Sequence, residues 1–243
     1  VKAGEADAVF SAGNTGAAVA ATTLKLRPLP GVSRPAIATV FPTRAKPCVL
    51  LDAGANPECT ARMIAEFAVM GSVYSNQILG QEKPSVGLLS IGDEDTKGNE
   101  KTKKSFQLLR ACSAVHFVGN VEGHDQFEGE TDVIVCDGFV GNIVLKTAES
   151  AAHAIGSWLK SEATRNAVRV LGALLLRGAF QAMKRKADAA QYGGAPLLGV
   201  NGVCIIGHGS SSEHAVYNGV RVAVESVDHR IHDRIQEQIA TLD

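Results

Sequence analysis

Apolar residues along the chain fall into short, nearly continuous runs. Each run is followed by a glycine- or asparagine-rich joint and then by a longer stretch whose apolar positions recur every three or four residues. The short runs predict strands at 8–11, 36–41, 48–52, 86–90, 115–118, 133–136 and 202–207. Several, such as Val49-Leu50-Leu51, are apolar throughout, the pattern of a strand covered on both faces. The longer stretches predict helices at 15–26, 59–77, 99–111, 141–164, 166–190 and 212–239. Strands alternating with helices through short joints predict an α/β fold. The expected sheet is open and mainly parallel, with helices on both faces and an antiparallel strand or two. The whole of 1–243 reads as one α/β domain, without internal repeats.

The texture changes at 166–186. Val168, Val170, Leu171, Leu174, Leu175, Leu176, Phe180 and Met183 are interleaved there with Arg165, Arg169, Arg177, Lys184, Arg185 and Lys186. So many cations on so apolar a helical stretch predict an amphipathic protrusion at about 163–190. It either packs against the domain or a second subunit, or touches an anionic membrane or an acidic protein.

Composition narrows the classes. The chain of 243 residues is 45% hydrophobic and 20% charged, with 25 glycines and a net charge of −1. That is ordinary for a globular protein and gives no global signal for nucleic acid. The five cysteines, Cys48, Cys59, Cys112, Cys136 and Cys204, are odd in number and contain no CxxC pair. They read as reduced thiols of a cytoplasmic protein, not as a disulfide frame or a zinc site. No stretch has the length and apolarity of a membrane span. The chain enters the strand-like run Ala8-Val9-Phe10 almost at once, which predicts that a segment precedes Val1 in a longer protein.

Six polar joints concentrate the chemistry at predicted strand ends, where open α/β sheets place ligands. Ser11-Ala12-Gly13-Asn14-Thr15-Gly16 runs into a helix whose free N–H groups suit an anion, although such a turn is often no more than a cap. In Asp52-Ala53-Gly54-Ala55-Asn56 the carboxylate can position a lysine or close an Asx turn. Ile91-Gly92-Asp93-Glu94-Asp95-Thr96-Lys97-Gly98-Asn99 offers Lys97 as a cation for phosphate or a developing oxyanion. Its acidic residues lack regular ligand spacing, so a solvated loop is expected there and no metal. Val118-Gly119-Asn120-Val121-Glu122-Gly123 is followed by Asp137-Gly138-Phe139-Val140-Gly141-Asn142, with Lys146 one turn beyond. Last come Gly193-Gly194-Ala195-Pro196 through Asn201-Gly202, then a strand, then His208 between two glycines. No G-x-S-x-G elbow, P-loop or Cys–His pair appears.

These motifs, in this order and over essentially the whole chain, closely resemble the phosphate acyltransferases of the PlsX type. The family's opening segment, with its Asp-Ala-Met-Gly-Gly-Asp-like motif, has no counterpart here. The resemblance implies a fold similar to phosphotransacetylases and isopropylmalate dehydrogenases, and a homodimer needing no cofactor. It implies transfer of a fatty acyl group from acyl-[acyl carrier protein] to inorganic phosphate at the start of phospholipid synthesis. It also implies peripheral membrane contact through 166–186.

On that chemistry, Asn14, Thr15 and the N–H groups around Gly16 are expected to hold phosphate, with Lys97 or Lys146 offsetting its charge. Asn99 and Asn142 are expected to donate to the thioester oxygen, and Asp52 and Asp137 to orient the cations. His208 is expected to protonate the leaving sulfur or to hydrogen-bond its own loop. Asn56 and Asn201 complete the candidate substrate contacts. Two alternatives stay open. One is a short-chain phosphate acetyl- or butyryltransferase using acyl-coenzyme A. The other is a non-catalytic, membrane-associated scaffold that binds acyl carrier protein through Arg165, Arg169, Lys184, Arg185 and Lys186.

Overall fold

A computed structural model describes residues 1–186 and 189–242. Residues 187–188 of the predicted 163–190 stretch lie outside the described residues. In chain order the elements are β1 (Ala8–Ala12), α1 (Thr15–Leu26), β2 (Ala36–Phe41), β3 (Cys48–Leu51), α2 (Ala61–Leu79), β4 (Ser85–Leu89), α3 (Glu100–Ala111) and β5 (His116–Val121). There follow β6 (Val133–Val135), α4 (Gly138–Ala163), α5 (Ala167–Leu175), α6 (Arg177–Lys186), β7 (Ala195–Leu198), β8 (Val203–Gly207), α7 (Glu213–Asp228) and α8 (Ile231–Ile239).

The strands of the described residues form one sheet in the order β1-β8-β7-β2-β3-β6-β4-β5. Four of its seven pairings are parallel: β1 with β8, β3 with β6, β6 with β4, and β4 with β5. The antiparallel pairings of β7 and β2 lie between these blocks, so β1 and β8 run opposite to β3, β6, β4 and β5. Four-residue β7 is missing from the strands expected of the sequence. Pro196 and the flanking Gly193-Gly194 and Gly199 read as a loop, yet Ala195 and Pro196 pair with Ile206 and Ile205. The two last predicted helices are each divided. Leu176 closes α5 before α6, and Arg230, with φ of 52°, turns the chain between α7 and α8.

Side chains alternate across the sheet. Val49, Leu51, Val133, Val135, Val86 and Leu88 meet α2, α3 and α8 on one face. Cys48, Leu50, Ile134 and Cys136 meet Val144, Leu145 and Ala148 of α4 on the other. Ile37, Leu197, Cys204 and Ile206 continue that second face toward Ala18 and Leu26 of α1, while Ile205 turns to Val222 and Ala223 of α7. Strands sandwiched this way have no polar side to offer water, which is why their sequences carry little period-two alternation.

Beyond its opening turns α4 leaves this core, and Gly138 and Gly141 are its buried residues. No described residue of α5 or α6 is buried, and Leu175 is 82% exposed. Arg165 and Arg169 both pair with Glu162 at the end of α4. No helix of the described residues is long and apolar enough to cross a membrane.

Candidate functional site

A cavity of about 440 Å³ opens over β2, β7 and β8, between the start of α1 and the first three turns of α4. Its floor is apolar, with Phe10, Ile37, Ala53, Leu145 and Ile206. Its walls bring together Thr15, Asn142, Lys146 and His208. These four come from three separate motifs of the sequence, and the antiparallel β7–β2 pair provides the surface over which they meet.

Each side chain is held by simple local physics. Asn14 caps α1, its Oδ1 accepting from the Ala17 N–H at 2.8 Å, and leaves Thr15 as the first helical residue facing the cavity. Lys146 pairs with Glu149, one turn further on, at 2.9 Å. His208 turns its Nδ1 back onto its own loop, where the Ser210 N–H donates at 3.2 Å and the Ser210 hydroxyl lies at 2.7 Å. Its Nε2 has no hydrogen-bond partner among the described residues. Of the roles expected for His208, tying its loop is the contact present here.

The start of α4 is fixed by a second group of motif residues. Asp52 is fully buried and its carboxylate is saturated. Oδ1 accepts from the N–H groups of Ile37, Gly54 and Ala55 at 2.9–3.0 Å, and Oδ2 accepts from the Asn56 N–H and side-chain amide at 2.7 and 2.9 Å. Asn56 also donates to Pro35 O at 2.8 Å. Asp52 is therefore the keystone of an Asx turn, and no lysine pairs with it among the described residues. That turn lies against α4: the Gly138 N–H donates to Asn56 O at 2.8 Å, and a Cβ placed on Gly54 would sit 3.3 Å from Cβ of Asn142.

Asp137 caps α4, its Oδ1 accepting from the Val140 N–H at 2.8 Å. Its other oxygen pairs with Lys101, in place of the expected Lys97 or Lys146. Lys101 lies in the first turn of α3 beside two other lysines, Lys103 and Lys104, and reads in sequence as part of a solvated face, so it was not among the expected site residues. Lys97 meets Glu94 at 3.7 Å, and Asn99 caps α3 by accepting from the Thr102 N–H at 2.9 Å. The loop bearing Lys97 is tied to β5, where the Asn120 side chain donates to Glu94 O at 2.8 Å. Neither Lys97 nor Asn99 lines the cavity. Asn201 lies before β8, at the end of that strand opposite His208, where its N–H donates to Arg27 O past the end of α1.

Cys59 approaches this corner, its thiol 3.3 Å from Asn56 O. Burial pushes that thiol up to about 11, with Asp52 and Asp137 adding to the rise, and burial pushes Cys136 well above its usual range. Neither is poised as a thiolate nucleophile at neutral pH. No group of three or more His, Cys, Asp or Glu among the described residues is placed to hold a metal ion.

Comparison with known proteins places this arrangement. The phosphate acyltransferase of Nostoc sp. (strain PCC 7120) is 50% identical over 244 residues, covering 100% of this chain and 72% of its own length. That of Acidobacterium capsulatum is 48% identical over 95% of this chain and 68% of its own. Among solved structures, a phosphotransacetylase from Streptococcus pyogenes superposes with a TM-score of 0.65 at 17% identity, over 94% of this chain. The EutD phosphotransacetylase of Staphylococcus aureus superposes at 0.64 and 18% identity, over 93% of this chain. The chain spans 65% of each of those two structures, and at such identities the likeness is one of fold. The profile of the family described as "Fatty acid synthesis protein" matches residues 1–234, and this chain belongs to that family.

Proposed function

We propose that this protein is a phosphate acyltransferase that moves a long-chain fatty acyl group from acyl-[acyl carrier protein] to inorganic phosphate, as a step toward phospholipids. The observation that carries the reading is the near-complete match to phosphate acyltransferases at about half identity. The cavity fits it, with an apolar floor for an acyl group beneath a polar wall for an anion.

An oxygen of the phosphate dianion attacks the thioester carbonyl, and a tetrahedral oxyanion forms. The C–S bond then breaks, the carrier leaves as a thiolate that takes up a proton, and acyl phosphate remains. Phosphate is already a nucleophile and the thiolate a good leaving group, so the protein's task is orientation and charge stabilisation. Thr15 and the N–H groups opening α1 receive phosphate. Asn142 donates to the oxyanion, Lys146 on the cavity wall and Lys97 outside it lower the local negative potential, and Nε2 of His208 faces the departing sulfur.

The described residues 163–186 of the amphipathic stretch protrude from this single α/β domain and rest on an anionic bilayer, with Leu174 and Leu175 entering it and Arg177, Lys184, Arg185 and Lys186 meeting headgroups. That makes the protein a peripheral one on the cytoplasmic side. Phe139, Ile143, Ile155 and Trp158, all exposed on α4, support a homodimer that buries this helix.

The test is to give the full-length protein palmitoyl-carrier protein and phosphate, then follow free carrier thiol and hydroxylamine-trappable acyl phosphate together. Both should appear in equal amounts and only with phosphate. Preference for acetyl- or butyryl-coenzyme A would move the assignment to the short-chain reading favoured by the fold neighbours. Carrier binding without either product would leave the scaffold.

A further inference from the structure

The acyl-transfer reading leaves an electrostatic conflict at the head of α4. The N-terminal turn of a helix carries a partial positive charge that suits an anion. Here that turn is capped by a carboxylate, Asp137, whose side chain is only 9% exposed. Asn142, five residues on, lies about 7.5 Å along the helix axis. Water screens so buried a carboxylate poorly, so uncompensated it would raise the cost of phosphate or a tetrahedral oxyanion beside Asn142. Asp52 does not relieve this, since its own carboxylate already accepts five hydrogen bonds, four from its turn and one from Ile37 of β2.

Lys101 removes the conflict. It reaches from the first turn of α3 to the Asp137 oxygen that does not cap α4, its side chain 31% exposed. The contact also joins two elements that otherwise belong to different motifs. The loop of Lys97 and the cap residue Asn99 lead directly into α3, while α4 carries Asn142 and Lys146.

We propose that Lys101 is a positioning residue of the acyl-transfer site: it neutralises the Asp137 cap so that the cavity beside Asn142 accepts a phosphate dianion, and it fastens the loop bearing Lys97 to the helix bearing Asn142. The proposal rests on the acyl-transfer reading above. Its consequence is specific. Losing Lys101 harms the site chiefly because Asp137 is then an unpaired negative charge, and removing that charge repairs the harm. Asparagine caps helices as well as aspartate does, so Asp137→Asn removes the charge while keeping an oxygen for the Val140 N–H.

The experiment is steady-state kinetics of the full-length protein with palmitoyl-carrier protein, varying phosphate. Lys101→Met should raise the phosphate KM roughly tenfold, the size expected of one unscreened charge at this range. The KM for the carrier substrate should change less than twofold. Lys101→Arg should restore the phosphate KM to within threefold of the unsubstituted protein. Lys101→Met combined with Asp137→Asn should recover at least half of the loss, logarithmically, which a merely structural strut would not produce. A phosphate KM within twofold of the unsubstituted protein in a folded Lys101→Met variant overturns the proposal. So does a double variant no better than the single one. If the unsubstituted protein shows no phosphate-dependent turnover, the acyl-transfer reading fails first, and the two failures are thereby told apart.

Discussion

A Cβ added to Gly141 would overlap the carbonyl oxygen of Asp52, so the backbone of α4 and the Asx turn after β3 touch without any side chain between them. Gly141→Ala therefore forces the two apart. We expect a loss of about 1–3 kcal/mol in stability, read as a lower urea midpoint. Because Asn142 is the next residue, turnover should fall well beyond what the lost stability explains. A variant with normal turnover would show that the contact has no bearing on the site.

Two asparagines separate the site from the rest of the molecule. Asn142 lines the cavity, whereas Asn201 sits at the other end of β8. Removing an oxyanion donor costs roughly 3–4 kcal/mol of barrier, so Asn142→Ala should lower kcat by about 10²–10³-fold at unchanged melting temperature. Asn201→Ala should leave kcat and both KM values within about twofold. Equal effects in the two variants would sink the assignment of the cavity.

Cys59 gives a pH signature. Its folded thiol ionises near 11, above the ordinary 9.0, because burial penalises the thiolate. The unfolded chain therefore gives up this proton first, and Cys59 favours the folded state below about pH 9. That contribution fades as pH rises from 9 toward 11. In a Cys112→Ser background, iodoacetamide labelling of native Cys59 should rise with a midpoint near 11, and near 9 once the protein is unfolded in urea. A native midpoint near 9 would mean that the corner around Asn56 is open to water.

The apolar residues of α5 give a membrane prediction. Leu174 and Leu175 are both exposed, and a charge placed there opposes insertion into lipid. The double change Leu174→Asp and Leu175→Asp should abolish flotation with vesicles of anionic phospholipid, while turnover of soluble carrier substrate stays within about twofold. Flotation that persists would shift the membrane contact elsewhere.

Much of this was legible in the sequence because strands and joints announce themselves differently. Val49-Leu50-Leu51 followed by Asp52-Ala53-Gly54 can only be a covered strand ending in a turn, and the helix after Asn14 begins where its cap predicts. What pattern conceals is partnership. Asp52, Asp137, Asn14 and Asn99 look alike as polar residues at strand ends. Yet three of them cap helices and the fourth closes a turn, because nearby N–H groups compete for their oxygens before any substrate does. Lys101 was hidden for the same reason. Among Lys103 and Lys104 it looks like solvated helix surface, and its partner lies 36 residues away. β7 was concealed by composition, since glycines and a proline obscure a strand that tertiary pairing imposes.

The length of α4 has a further consequence. Its 26 residues span about 39 Å, while the strand beneath it, β6, has three. The head of the helix is keyed to the sheet by two glycines, and its far end runs on into α5 without support from the core. The compass bearing of the leucines on α5, relative to Asn142 and Lys146, is thus encoded in a residue count. One residue inserted or deleted between Glu149 and Thr164 would swing the far end by about 100° and leave the cavity lining untouched. The number of residues in this segment is held by the need to aim both ends at once.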